Sequence, residues 1–145
     1  MPDRSLQTSQ PAGARYPGRT AVRLILGSAL ALAGLSHLTF AREEFRAQVP
    51  QGLPIKEDTT VLASGFVEIG LGATLMSGWR KQTVGKIVAA FFVAVFPGNI
   101  SQWKNQRDGF GLDTNTKRLL RLPFQIPLIA AALWSTGPRR PSHRT

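Results

Sequence analysis

The stretch that decides the fold is TVGKIVAAFFVAVFPGNI, residues 83–100. Its last fourteen residues, 87–100, include no charged side chain, so a helix built from them has no face for water. A second block, residues 61–76, holds a single charge, Glu68. A soluble four-helix bundle would carry a polar stripe on every helix, and these blocks therefore indicate helices that cross a membrane.

Two further apolar blocks accompany this pair, and most of the charged residues lie between the blocks. The blocks are about 16 to 21 residues long, against the roughly 20 residues that cross the hydrocarbon core of a bilayer. The predicted fold class is therefore all-α, a four-transmembrane-helix bundle. We expect helices at about 20–40, 60–78, 83–100 and 119–136, which together form a membrane domain at 20–136.

The segments outside these helices are polar and basic. We expect a disordered N-terminal tail at 1–19, an interfacial segment at 41–54 and a basic C-terminal tail at 137–145. With both tails on one side, ten basic residues lie at that end of the bundle and eight at the other. The positive-inside rule therefore places both termini in the cytoplasm, and we expect a multi-pass protein of the cell membrane, most simply the bacterial cytoplasmic membrane.

Composition excludes several classes of function. The net charge is +10, but the basic residues follow tails and loops, where they face anionic lipid headgroups, and no nucleic-acid surface is predicted. The chain has no cysteine, which excludes disulfides, thiol relays, iron–sulfur clusters and cysteine zinc sites within it. The bilayer is thus the first predicted partner, and the oligomeric state is left open.

Five polar side chains fall inside the predicted helices. An ionisable group in hydrocarbon costs about 3 kcal/mol on insertion scales, so each such group calls for a partner or a function. When each helix is followed through the membrane, all five lie in the outer half, where they could surround the polar head of a small molecule. The candidate ligand-binding residues are His37, Glu68, Asn99, Arg121 and Gln125.

Each of these residues also has a structural interpretation. Glu68 and Arg121 could form an internal ion pair that only fixes helix register. His37 could cap a helix end, and the two amides could join helices by hydrogen bonds. Pro97, followed by Gly98, is expected to break the third helix and expose carbonyl groups to the same region. Arg23 and Lys86 are expected to extend to the cytoplasmic headgroups.

The number of histidine and glutamate residues within the predicted helices excludes the more specific catalytic hypotheses. A bis-histidine haem needs a second histidine inside the membrane, and a carboxylate di-metal site needs several Glu and His residues. Only one of each lies within the predicted helices, so no catalytic residue and no metal site is assigned. A small-solute or proton carrier is disfavoured because four short helices leave little room for alternating access.

Four motifs, taken together, resemble the DoxX family of small four-helix membrane proteins. The resemblance covers about residues 24–136. The motifs are AGLSHLTF at 33–40, GFVEIGLG at 65–72, VFPGNI at 95–100 and RLPFQ at 121–125.

The resemblance implies an accessory subunit of a membrane redox or oxidative-stress system, with a soluble or membrane redox partner protein. It also implies a quinone as the ligand of the five polar residues. No cofactor is encoded in the chain, and catalysis by this chain alone is not expected. The alternative is a non-catalytic scaffold or assembly partner, in which the polar cluster only fixes helix packing.

Overall fold

The computed structural model describes residues 16–138, and every regular element in that range is helical. Four stretches are long and apolar enough to cross a membrane, which confirms the all-α fold class with four candidate spans. The elements are α1 (Pro17–Leu38), α2 (Arg42–Arg46), α3 (Glu57–Ser77), α4 (Lys81–Lys104), α5 (Asn115–Arg121), a 3-10 turn (Leu122–Phe124) and α6 (Gln125–Thr136).

The helices extend beyond the apolar blocks. α1 begins at Pro17, because proline at the first helical position lacks only a donor that would have been unpaired. Of the predicted tails at 1–19 and 137–145, residues 1–15 and 139–145 lie outside the described residues, and residues 17–19 belong to α1 instead of a disordered tail. The cytoplasmic placement of the termini stays a prediction from the charge distribution.

Proline affects the third and fourth spans differently. The predicted break at Pro97 is wrong, because α4 continues through Pro97 to Lys104. One missing donor costs one hydrogen bond, and the rest of the helix holds its geometry. The fourth span does change form, since α5 passes into a 3-10 turn containing Pro123 before α6 begins.

α1 and α3 form the closest helix contact in the bundle, because glycines on both helices let their backbones approach. A Cβ atom on Gly72 would lie 2.5 Å from the carbonyl oxygen of Gly27, and one on Gly34 would lie 2.5 Å from that of Gly65. The two backbones therefore touch directly, as small residues allow in membrane bundles.

The other helix pairs differ in how closely they pack. α4 packs mainly on α6, and α6 also contacts α1, whereas the sequence neighbours α3 and α4 contact each other sparsely. An apolar core fills the half of the bundle nearest the first residue of α1 and the last residue of α6, here called the terminal end. Its buried residues are Leu26, Leu30, Leu75, Val84, Val88, Ala89, Phe92 and Ala132.

Arg23, which was predicted to extend to the cytoplasmic headgroups, lies at the terminal end and contacts α3. Its Nη1 donates to the carbonyl oxygen of Leu75 and, at 2.7 Å, to that of Met76. These carbonyl groups belong to the last turn of α3, where they lack partners within the helix. Arg23 therefore caps α3, and this contact ties α1 to α3.

The opposite end of the bundle, the loop end, is covered by a polar cap made of residues 39–56 and 105–114. Asp58, in the first turn of α3, accepts hydrogen bonds from both Arg42 and Arg46. The hydrogen bond to Asp58 is the main reason that the pKa of Arg46 lies above its ordinary value. Arg107 donates to Glu57 at 3.3 Å and to the carbonyl of Val49. The cap is thus an ordered layer fixed to α3.

Asp58→Asn is expected to loosen this cap. One neutral amide cannot hold two guanidinium groups, but the three side chains are about one-third exposed, so water weakens the pairs. We expect the thermal midpoint of the detergent-solubilised protein to fall by roughly 2–4 °C. Asp113→Asn is the control, since Asp113 pairs with Lys117 between more exposed side chains and should leave the midpoint unchanged. Equal midpoints for both variants would contradict the account of the cap.

Candidate functional site

A cavity of about 490 Å³ lies beneath the cap, between α1, α3, α4 and the fourth span. Most of its lining side chains are apolar, including Leu30, Phe91 and Leu128. All five polar residues singled out in the sequence line it: His37, Glu68, Asn99, Arg121 and Gln125. The structure therefore brings them together, while their role in binding a ligand stays a prediction.

His37 and Glu68 form a buried pair in the wall of the cavity. His37 Nδ1 and Glu68 Oε2 lie 3.2 Å apart, and only 3% and 6% of the two residues is exposed. Although the distance is short, the two atoms are not aligned as a hydrogen bond, and neither has another partner among residues 16–138. The glycines beside them on α1 and α3 hold the two helices close enough for this contact. The pair consequently keeps unused hydrogen-bonding capacity at the cavity.

Arg121, at the end of α5, has neutral partners. Its Nη1 donates to Gln102 Oε1 at 3.3 Å. With the amide of Gln48 turned so that its oxygen faces the guanidinium, that oxygen accepts from Nη1 at 3.0 Å and from Nη2 at 3.3 Å. The ring of Phe110 lies 5.4 Å from the guanidinium carbon, within the range of a cation–π contact.

The ion pair suggested for Glu68 and Arg121 is not formed. Glu68 lies against His37 instead, and no carboxylate within residues 16–138 is at ion-pair distance from Arg121. The sequence could not distinguish these pairings, because both require only that the residues lie at similar depth. The result is a positive charge at the cavity that two amides and an aromatic ring surround but do not neutralise.

Asn99 and Gln125 form an interhelical link. Asn99 Nδ2 donates to Gln125 Oε1 at 3.4 Å, and Gln125 Nε2 donates to the carbonyl oxygen of Phe92 at 2.5 Å. Both amides are buried. This chain of hydrogen bonds joins α4 to α6, as the structural interpretation of the two amides predicted.

Four residues of the site escaped the sequence analysis. Gln102 lies three positions after Asn99 and is 1% exposed. In a continuous helix, residues at i and i+3 share one face, so Gln102 could have been placed beside Asn99 from the sequence. It was missed because the helix was predicted to break at Pro97. Gln48 and the two aromatic rings come from the cap, where no periodicity marks an inward side chain. Phe45 packs on His37 and also on Phe110, so the rings of the cap lie over the imidazole.

The arrangement supports binding better than metal chemistry. Within residues 16–138, no group of three or more His, Asp or Glu side chains is placed to hold a metal ion. What the cavity offers is a guanidinium that donates, a carboxylate beside an imidazole, and apolar walls. This combination fits a ligand with a small oxygen-bearing head and an apolar body.

Comparison with known protein families identifies residues 26–136 as a domain of unknown function, DUF8561. The predicted DoxX membership is therefore wrong, although the match covers nearly the same part of the chain. No curated protein sequence and no solved structure matches the chain. The four motifs describe close helix packing and a polar cavity, which unrelated membrane bundles can share.

Proposed function

Since the chain belongs to the family of unknown function DUF8561, we propose a function from its site: it binds the polar head of a membrane-soluble ligand in the cavity. The observation that carries the proposal is the unneutralised guanidinium of Arg121, which shares one mostly apolar cavity with the His37–Glu68 pair. A half-buried cation without a carboxylate partner is unfavourable inside a membrane, and an oxygen atom of a ligand would stabilise it.

The chemistry of the head follows from the two ends of the site. Arg121 donates, so it favours a carbonyl or anionic oxygen. Glu68, whose Oε2 has no hydrogen-bond partner within the described residues, accepts from a hydroxyl group of the ligand, and an N–H at Nδ1 of the neighbouring His37 would donate to a ligand oxygen. A quinone or hydroquinone head carries two oxygens on opposite sides of one ring, and we propose this class of ligand.

The proposal extends to binding and not to catalysis. The earlier expectation of a redox or oxidative-stress complex, with a partner protein, came from the DoxX resemblance and has no independent support in the site. The four apolar helices fit a membrane protein, and a multi-pass location in a bacterial cytoplasmic membrane remains our proposal from the charge distribution.

A second candidate function is a scaffold whose polar groups only fix helix packing. The link from Asn99 through Gln125 to the carbonyl of Phe92 favours it, because these groups satisfy one another without a ligand. The scaffold interpretation does not account for Arg121, because a guanidinium without a carboxylate partner is a costly way to contact two amides and the ring of Phe110.

Glu68→Gln separates the two candidates. The change preserves shape but replaces an acceptor with a donor, so binding of a short-chain hydroquinone to the detergent-solubilised protein should weaken at least about tenfold. The thermal midpoint should stay close to that of the native protein. Glu43→Gln is the matched control, since that carboxylate is 80% exposed on the cap and should leave binding unchanged.

The scaffold interpretation makes the opposite prediction for the same pair of proteins. The native protein would bind no hydroquinone, and Glu68→Gln would lower the thermal midpoint because a packing contact is lost. That outcome would overturn the binding proposal and leave the polar cluster as a structural element.

A further inference from the structure

The α3 wall of the cavity carries three polar residues in one row. Thr60, Ser64 and Glu68 follow one another at four-residue intervals, so they share one face of the helix, and all three line the cavity. The α4 residues Phe91 and Val95 line the same cavity and are apolar. The three residues are here called the polar row of α3, and Glu68 is the only one of them that the proposed function uses.

The two hydroxyl groups of the polar row already donate to the helix backbone. Ser64 Oγ donates to the carbonyl oxygen three residues earlier at 2.9 Å, and Thr60 Oγ1 donates to the carbonyl oxygen four residues earlier at 3.3 Å. Each hydroxyl oxygen keeps a lone pair that accepts a further hydrogen bond, as does Oε2 of Glu68. The polar row therefore offers acceptors to a ligand, whereas Arg121 offers donors.

The spacing of the row determines which of its acceptors one ring can reach. Ser64 lies one turn from Glu68, and neighbouring side chains on a helix face have Cβ atoms about 5–6 Å apart. Hydroxyl groups on adjacent carbons of a ring fit such a pair of acceptors, since each hydrogen bond places its two oxygens about 2.7 Å apart. Thr60 lies two turns from Glu68, about 12 Å along the helix axis, which is beyond the reach of the same ring.

We propose that Ser64 is a further binding residue, which accepts a hydrogen bond from a second ring hydroxyl next to the one that donates to Glu68. This inference rests on the proposed function and narrows its ligand class to a ring with two adjacent hydroxyl groups on the α3 side and an oxygen atom on the Arg121 side. Ser64 thereby determines specificity, whereas Glu68 and Arg121 bind the two oxygens that every hydroquinone carries.

The test measures the binding of three probes to the detergent-solubilised full chain under anaerobic, reducing conditions. The probes are a short-chain hydroquinone, the same compound with a hydroxyl group added beside one ring hydroxyl, and the same compound with a methoxy group at that position. The methoxy group supplies an oxygen but no proton to donate.

The variant is Ser64→Ala, which removes the acceptor and keeps a residue that favours a helix. Ser135→Ala is the matched control, because Ser135 Oγ also donates to the carbonyl oxygen three residues earlier but does not line the cavity.

We expect the native protein to bind the hydroxylated probe about five- to tenfold more tightly than the hydroquinone, the effect of one net hydrogen bond. The methoxy probe should gain no more than about twofold, because Ser64 receives no proton from it. In Ser64→Ala the gain should disappear, while the affinity for the hydroquinone stays within about twofold of the native value. Ser135→Ala should keep the full gain.

Two results would overturn the inference and leave the proposed function intact. Equal binding of the hydroxylated and methoxy probes to the native protein would mean that no acceptor meets the added hydroxyl group, and this comparison needs no variant to fold. A gain that persists in Ser64→Ala would mean that Ser64 does not distinguish the probes. If the native protein binds none of the three probes, the proposed function itself fails.

Discussion

Gly72→Leu is expected to destroy the folded bundle. A Cβ atom at this position would lie 2.5 Å from the carbonyl oxygen of Gly27 and 2.7 Å from the backbone nitrogen of Ala31, so α1 and α3 would have to separate. Overpacking of this kind costs about 1–3 kcal/mol in a core with flexible neighbours. Here the neighbours are backbone atoms, and we expect a loss of about 3 kcal/mol or more.

The measurement is the thermal midpoint and the monodispersity of the detergent-extracted protein. Gly70→Leu is the matched control on the same helix, two residues away, because a Cβ atom at Gly70 meets nothing within 4 Å. The control should behave as the native protein. If Gly72→Leu were as stable as Gly70→Leu, α1 and α3 would not be in backbone contact, and the position of Glu68 beside His37 would lose its explanation.

Arg121→Leu is expected to weaken ligand binding strongly while the bundle stays folded. A hydrogen bond from a charged donor contributes about 1.5–3 kcal/mol, so affinity for a short-chain quinone should fall by about 100-fold. The bundle should stay folded, because no opposite charge is left unpaired when the guanidinium is removed. The thermal midpoint should fall by about 3–6 °C, because Gln102, which is 1% exposed, loses its donor.

The control for this variant is Lys117→Leu, one turn earlier on α5, where Lys117 pairs with Asp113 outside the cavity. It should leave binding unchanged. Arg121→Lys should give an intermediate affinity, since the charge remains but the planar pair of donors does not. A large fall in the stability of Arg121→Leu with native binding would show that the guanidinium is part of the packing and not of the site.

The spans were predictable from the sequence because hydropathy alone determines them. The charge-free stretch 87–100 could not present a face to water. The depth of each polar residue along its span could also be predicted from the sequence. The five side chains that line one cavity were therefore identified before the structure was known. These are properties of single helices, and each helix carries its own signal.

Pairing between helices was not predictable in the same way. Glu68 could meet Arg121 or His37, and helix rotation decides between them. Gln48 was hidden because it lies in the cap, which is held by ion pairs such as those of Asp58 and has no regular period. The DoxX motifs were misleading for a related reason. Glycines at a helix contact and a single buried carboxylate can occur in any closely packed membrane bundle, so they do not identify a family.

Binding of a specific ligand in the cavity is tested most directly by mass spectrometry of the organic extract from purified protein. The native and Arg121→Leu proteins are prepared side by side. We predict that one membrane-soluble ligand with an oxygen-bearing head accompanies the native protein in near-stoichiometric amount and is missing from the folded variant. If both proteins carry only membrane lipids in the proportions of the surrounding membrane, the cavity binds no specific ligand and the account is contradicted.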